Sequence, residues 1–260
     1  MVNETQKKLI TIVRDLRDVL IAAHIPFYLI GGSAIGAVRE HGIIPWDDDI
    51  DIGIKRDHIA AFTKAIKTSD LMKKYDFIIP GQTPNYYFPT YKILWNLKGT
   101  DAPVDKGTGF QGVFIDIFAL DKTYTNKLRR RFHQLTIRLD QIRLDIALGH
   151  PESGQKLGPF HTILVNQAHK RSKKQLLNKY LFDIQKHQNL TKNYMYYNFG
   201  SPYPWDRETY HVDEVANYVM KPFEGEEFPV AKGYDAILTR MYGDYMQPPK
   251  KSQRQPKHLN

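Results

Sequence analysis

The chain has 260 residues, 42% of them hydrophobic and 25% charged, which excludes a disordered chain, a collagen-like chain and a coiled-coil rod. Lys and Arg number 37 against 28 Asp and Glu, a formal charge of +9, so anionic partners are invited without being chosen. Cysteine is absent, which removes disulfides, thiolate metal sites and a cysteine nucleophile.

In chain order, residues 1–24 predict a helix, with Leu9, Ile12, Val13, Leu16, Val19 and Leu20 at helical spacing. Its charged N-terminus lacks the apolar run of a signal peptide, and no stretch reaches the roughly 20 apolar residues of a membrane span. The expectation is a soluble protein retained in the cytoplasm. Residues 27–30 read as a short strand ending at Gly31-Gly32, followed by a short helix over 33–39 with Ser33 as a cap. Residues 50–54 alternate apolar and acidic, as a strand does, and 59–72 predict a further helix. Turn signals fill 80–90, and strands follow at 91–97 and 112–120.

Beyond residue 122 the texture changes. Leu128, Phe132, Leu135, Leu139, Ile142 and Ile146 recur in steps of four and three, an apolar seam interleaved with arginines; the basic side chains read as a solvated face beside a core seam. Residues 151–159 read as a loop, 160–186 as one second basic helix, and 194–199 as strand-prone. A last helix closes at 238–242 before Gly243. The expected division is a catalytic core over 1–121, a basic helical subdomain over 122–190, a segment over 191–246 that completes the catalytic domain, and a disordered basic tail over 247–260.

Chemistry concentrates in residues 30–54, IGGSAIGAVREHGIIPWDDDIDIGI. Asp49 and Asp51 stand two apart, so on a strand they share a face with a rise of roughly 6.6 Å between them. Ile50 and Ile52 then point to the core. Paired carboxylates repel unless a cation lies between them, and oxygen ligands suit Mg²⁺ or Mn²⁺. Asp116, set in the apolar run FIDIF, is the third candidate ligand. The Gly31-Gly32-Ser33 turn offers backbone N–H groups, a helix start and a hydroxyl to a phosphate. A phosphate cradle beside metal-binding carboxylates implies phosphoryl-group transfer. Asp47 and Asp48 read as solvated or as local caps. Lys92 and Arg39 are candidate phosphate contacts, with a surface lysine and an arginine paired to Glu40 or Asp47 as the alternatives. His41 reads as structural or exposed rather than as a base; Asp51 could serve instead.

These residues resemble the LicD family of the nucleotidyltransferase-fold superfamily. The resemblance rests on Gly32-Ser33, on Asp49-Ile50-Asp51 within REHGIIPWDDDIDI, on GVFIDIFALD, on YKILWNLKGT, and on FEGEEFPV with YDAILTRMYGDYMQPP. It implies an α+β fold, a short mixed β-sheet flanked by helices with an added helical subdomain. It implies transfer of a phospho-alcohol group, typically phosphocholine, from a CDP-activated alcohol donor. The acceptor would be a sugar hydroxyl of a glycopolymer precursor such as teichoic acid or lipopolysaccharide, or a lipid-linked sugar. Fukutin-like relatives that move ribitol phosphate make the reaction class better defined than the alcohol, and glycerol phosphate is a further option. By position, Asp49, Asp51 and Asp116 become catalytic metal ligands, and Gly32 and Ser33 contacts to the donor phosphates; Gly31, Arg39 and Lys92 complete the candidate phosphate-binding set on their own chemistry.

A choline group would call for an aromatic cage. Tyr86, Tyr87, Phe88, Tyr91, Trp95, Tyr194, Tyr196, Tyr197 and Trp205 could supply one, although each reads first as a core or surface aromatic. Two rivals stand beside this reading: a nucleotidyltransferase acting on RNA or a small molecule, and a polymer- or membrane-binding adaptor with a dead site. No nucleic-acid-binding module is recognisable, so no stable nucleic acid partner is expected. Peripheral contact with the anionic inner face of the membrane stays open.

Overall fold

The computed structural model describes residues 2–105, 107–201, 203 and 206–255. Helix α1 (Glu4–Ala22) starts at Asn3, whose side chain accepts from the Gln6 amide while the Gln6 side chain accepts from the Asn3 amide. This reciprocal cap satisfies two otherwise orphaned donors. The face bearing Leu9, Ile12, Val13, Leu16 and Leu20 is buried as its spacing predicts. It lies on the central sheet, packed against strand β5 (Gly112–Tyr124).

Strand β1 (Tyr28–Leu29) pairs antiparallel with β2 (Asp51–Lys55), and β2 runs parallel to β5. The antiparallel strands β4 (Tyr91–Asn96) and β3 (Asp76–Ile78) extend the sheet beyond β5. On the other side β9 (Glu226–Ala231) pairs parallel with β1 and carries the hairpin partner β8 (Tyr218–Phe223). The far half of β5 bends into a second ladder with β6 (Tyr194–Tyr197), which pairs with β7 (Thr209–Tyr210). The order β3-β4-β5-β2-β1-β9-β8 is a mixed sheet flanked by helices, as the α+β reading expects. The strands β3, β7, β8 and β9 are additional to the predicted ones: β3 and β7 are short, β8 alternates with little burial, and β9 carries Pro229, a residue that weakens a strand signal.

Three local expectations are corrected. The helix after the glycine turn begins earlier, as α2 (Gly31–Ile35), and continues as a π-type turn over Gly36–Glu40. Ile30 occupies the cap position, and the Ser33 hydroxyl is inside the helix, accepting from the Asp51 amide at 2.8 Å. The single helix expected over 160–186 is two, α5 (Pro159–His169) and α6 (Lys173–Gln185). Ser172 starts α6 with a capping box to Gln175, and that competing start signal ends the run. The helix expected over 59–72 is α3 (Arg56–Thr68) followed by a 3₁₀ turn.

The basic segment forms a helical layer of its own, with α4 (Lys127–Leu148) packed against α5 and α6. Ile137, Leu144, Leu176, Leu177, Tyr180 and Ile184 make one core there, and Ile142, Ile146, Leu164 and Ala168 another. His133 joins α4 to β5 and α6: its Nε2–H donates to the Asp183 carbonyl, and Nδ1 accepts from the Thr123 hydroxyl. The last helix, α7 (Tyr234–Tyr242), ends before Gly243 as expected. Past it, residues 251–253 form a 3₁₀ turn, and the Arg254 guanidinium lies over the Trp46 ring at 4.9 Å. The rest of the tail, 256–260, falls outside the described residues.

Candidate active site

The parallel register of β2 and β5 sets Asp51 directly opposite Asp116. Ile50, Ile52, Ile115 and Ile117 turn to the apolar core, so period two sends Asp49, Asp51, Asp116 and Phe118 to the opposite face. That face lines a cavity of about 850 Å³. Gly31, Gly32 and Arg39 line the same cavity. The three predicted ligand aspartates and three of the five predicted phosphate contacts therefore meet in one place.

Backbone geometry explains the glycines. Gly31 has φ +57°, and a Cβ there would come within 3.2 Å of Asp51 Oδ2. A Cβ on Gly32 would lie 2.8 Å from Asp47 Oδ2. The chain must pass this close for the acidic turn and the start of α2 to share the cavity. The turn is fixed from behind by α1: buried Gln6 donates from Nε2 to the carbonyls of Ile44 at 3.2 Å and Asp47 at 3.0 Å.

Ser33 and Lys92 do not line the cavity. Ser33 holds the backbone of Asp51. Lys92 sits opposite Asp116 in the β4–β5 register, and its Nζ lies 2.7 Å from Asp116 Oδ1 and 3.8 Å from Asp105 Oδ2. It also lies 3.6 Å from the centre of the Phe114 ring. It is buried, as is Asp116, so the pair exchanges water for each other. Arg39 keeps the partner foreseen for it, donating from Nε to Glu40, and it also donates from Nη1 to the Tyr245 carbonyl at 2.7 Å. Its fork has further N–H donors beyond these. His41 is exposed, adopts φ +56° at the end of the π-type turn and is not on the cavity wall.

The electrostatics are those of crowded acids. Withdrawal from water pushes the Asp51 carboxyl well above the usual range, and Asp49, Asp116, Asp47 and Glu208 add to the shift. Burial also raises Asp116, with Lys92 opposing that rise. Carboxylate oxygens gathered on one wall are a donor set suited to a hard divalent cation. Within the acidic turn, one oxygen each of Asp47, Asp48 and Asp49 lie within 4.8 Å of one another. Asp47 lines the cavity and Asp48 does not; with Asp244 the wall holds five aspartates rather than the three expected.

Other cavity residues were missed. Glu208, 3% exposed, accepts from Asn198 Nδ2 and from the Tyr210 hydroxyl, each at 2.9 Å. Burial raises its carboxyl, against the pull of Ser201, Asn198 and Tyr210. The aromatic wall is Trp46, Phe118, Tyr203, Tyr242 and Tyr245. None of the described candidates for a cage (Tyr86, Tyr87, Phe88, Tyr91, Trp95, Tyr194, Tyr196, Tyr197) lines the cavity, and Trp205 lies outside the described residues. The YGDYMQPP ending did carry a signal, for Tyr242, Asp244, Tyr245, Gln247 and Pro249 all reach the cavity.

A mixed sheet with carboxylates on adjacent parallel strands, facing a glycine turn at a helix start, defines a nucleotidyltransferase-fold enzyme. Residues 24–126 match the model of the LicD/FKTN/FKRP nucleotidyltransferase domain, in line with the resemblance read from the sequence. The lipopolysaccharide cholinephosphotransferase LicD of Haemophilus influenzae is 28% identical over 239 residues, 90% of this chain and 87% of that protein. The ribitol 5-phosphate transferase FKRP of Homo sapiens is 56% identical over 41 residues, 16% of this chain and 8% of that protein. These comparisons support a phosphotransferase.

Proposed function

We propose that the protein transfers a phospho-alcohol group, phosphocholine in the first instance, from a CDP-activated donor to a sugar hydroxyl of a glycopolymer precursor such as lipopolysaccharide or teichoic acid. The observation that carries this reading is the convergence of Asp49, Asp51 and Asp116 with Gly31, Gly32 and Arg39 on one cavity. The likeness to a cholinephosphotransferase over nine-tenths of the chain supports the alcohol.

In this reading Asp49, Asp51 and Asp116 hold Mg²⁺ or Mn²⁺, with Asp47 beside them. The ion supplies the positive charge that a diphosphate and its transition state need. The first turn of α2 presents N–H groups that have no acceptor inside the helix, and they face the donor phosphates. Arg39 adds a fixed cation at the rim. Lys92 acts at one remove, keeping Asp116 ionised and in place rather than touching phosphate. Ser33 likewise acts through the Asp51 backbone. The aromatic wall suits a quaternary ammonium, and Trp46 already carries the Arg254 guanidinium on its ring.

The short, strong match to a ribitol 5-phosphate transferase keeps a polyol phosphate as the second reading. A donor screen decides between them. Purified protein with Mg²⁺ or Mn²⁺ is offered CDP-choline, CDP-ribitol, CDP-glycerol and nucleoside triphosphates together with glycan acceptors. Release of CMP from CDP-choline with labelling of the acceptor is the expected result. Consumption of a triphosphate with pyrophosphate release would replace phospho-alcohol transfer by nucleotidyl transfer.

A further inference from the structure

The apolar seam of α4 is only half covered. Its C-terminal part, Leu139, Ile142 and Ile146, packs on Leu164, Val165 and Ala168 of α5. Its N-terminal part continues the same stripe in steps of four and three but meets water: Leu128 is 70% exposed, Phe132 67% and Leu135 43%. Phe160 and Ile163 on α5 and Phe182 on α6 are also more than half exposed. Scattered apolar side chains need no explanation, but a row of this kind on one short subdomain does.

The charge is concentrated in the same place. Residues 127–190 hold thirteen Lys or Arg and four Asp or Glu, a net +9. The remaining 24 basic and 24 acidic residues balance, so the whole excess of the chain lies in α4, α5, α6 and their connections. The placement also runs against helix electrostatics. Lys127, Arg129 and Arg130 open α4, Lys173 and Lys174 open α6, and neither first turn has an acidic residue. Cations at the positive end of a helix are unfavourable for the isolated fold. Arg130 serves the fold, donating to the Tyr124 and Thr125 carbonyls and to Asp206, whereas Lys127, Arg129, Lys173 and Lys174 are exposed. Exposed cations placed against the helix dipole fit a surface kept for an anionic partner. Around Phe132, Arg129, Lys186 and His187 form the rim of a shallow cavity of about 330 Å³.

We infer that this face of the helical subdomain docks the enzyme on an anionic lipid bilayer, with Leu128, Phe132 and Leu135 entering the interface and the surrounding lysines and arginines meeting lipid phosphates. The inference stands on the surface alone and is independent of the chemistry proposed for the cavity. Two other occupants fit less well. A nucleic acid would answer the charge but leave the leucine and phenylalanine side chains wet. A second copy would answer the apolar row but bring two +9 faces together. An anionic bilayer answers both, as for basic amphipathic helices that lie in a membrane interface.

The test is vesicle co-sedimentation of the full chain, with phosphatidylcholine alone and with phosphatidylcholine containing phosphatidylglycerol. The wild type is expected to bind the anionic vesicles at least about tenfold more tightly, with the preference fading in high salt. The variant L128S/F132S is expected to lose about tenfold or more of that binding, as removal of two inserted apolar side chains dictates. K127E/R129E is expected to lose the preference for anionic lipid. I21S, which removes an exposed side chain on α1, is expected to bind as the wild type does. Circular dichroism of each variant separates lost docking from lost folding; the replaced side chains are exposed, so the spectra should coincide. Equal binding to both vesicle types, or wild-type binding by a correctly folded L128S/F132S, would overturn the inference. Tighter binding to RNA than to anionic vesicles, or a concentration-dependent dimer abolished by L128S/F132S, would overturn it in favour of those partners.

Discussion

Substituting Lys92 by Met separates two roles that the sequence alone left open. A phosphate contact would raise the donor KM and leave stability intact. The structure puts the ammonium 2.7 Å from Asp116, with both side chains about nine-tenths buried. Removing the cation strands a carboxylate already pushed upward by burial. Breaking one partner of such a pair costs about 3–5 kcal/mol. Asp105, at 3.8 Å, and the Phe114 ring lose their cation as well, which places the expected loss toward the upper half of that range. Urea unfolding of K92M, D116N and the double variant in the presence of EDTA measures it. The double variant should regain much of the loss, because the uncompensated charge is gone. A K92M protein within about 0.5 kcal/mol of the wild type, with a raised donor KM, would refute the counter-ion assignment and restore the phosphate contact.

Other outcomes follow from the same geometry. Burial holds His133 at a pKa of about 4, against 6.5 when unfolded. The unfolded chain therefore takes up the proton first as pH falls, and stability that is complete above 6.5 is lost toward 4, by about 3 kcal/mol over the full range. Urea midpoints at neutral and mildly acidic pH should show this slope in the wild type and a weaker one in H133Q; parallel slopes would remove His133 from the account. Gly31→Ala puts a methyl group at φ +57° within 3.2 Å of Asp51 Oδ2. It should cost about 1 kcal/mol of stability but at least about tenfold in turnover, and unchanged turnover would show that the cavity tolerates a side chain there. Asp51→Asn relieves a crowded, buried carboxylate. At neutral pH without divalent ions it should unfold at a higher urea concentration than the wild type, and the difference should shrink on acidification, because a raised carboxyl pKa means that native stability grows as pH falls. A less stable D51N would contradict the repulsion argued here.

The sequence made the acidic strands legible because period two does two jobs in WDDDIDI and FIDIF. The same alternation that buries Ile50, Ile52, Ile115 and Ile117 delivers Asp49, Asp51 and Asp116 to one face. What it could not show was which partner each polar group would find across the sheet. Lys92 meets Asp116 through the β4–β5 register, and Ser33 meets the Asp51 amide through the turn of α2; neither distance is written in local spacing. Glu208 comes from a segment without periodicity, so nothing marked it before the fold brought it to the cavity. The break between α5 and α6 was legible in Ser172 and Gln175, a capping box read as part of a longer helix. The α4 seam shows the opposite limit. Periodicity identified every member of the stripe, but only the packing of α5 reveals that its N-terminal half is left largely exposed.

The most direct measurement is CMP release from CDP-choline by the wild type and by D51N, with saturating Mg²⁺ and acceptor. Loss of one aspartate from the cluster should lower turnover by about a thousandfold or more while the protein stays folded. A folded D51N within about tenfold of wild-type turnover would mean that the carboxylates facing this cavity do not carry the transfer.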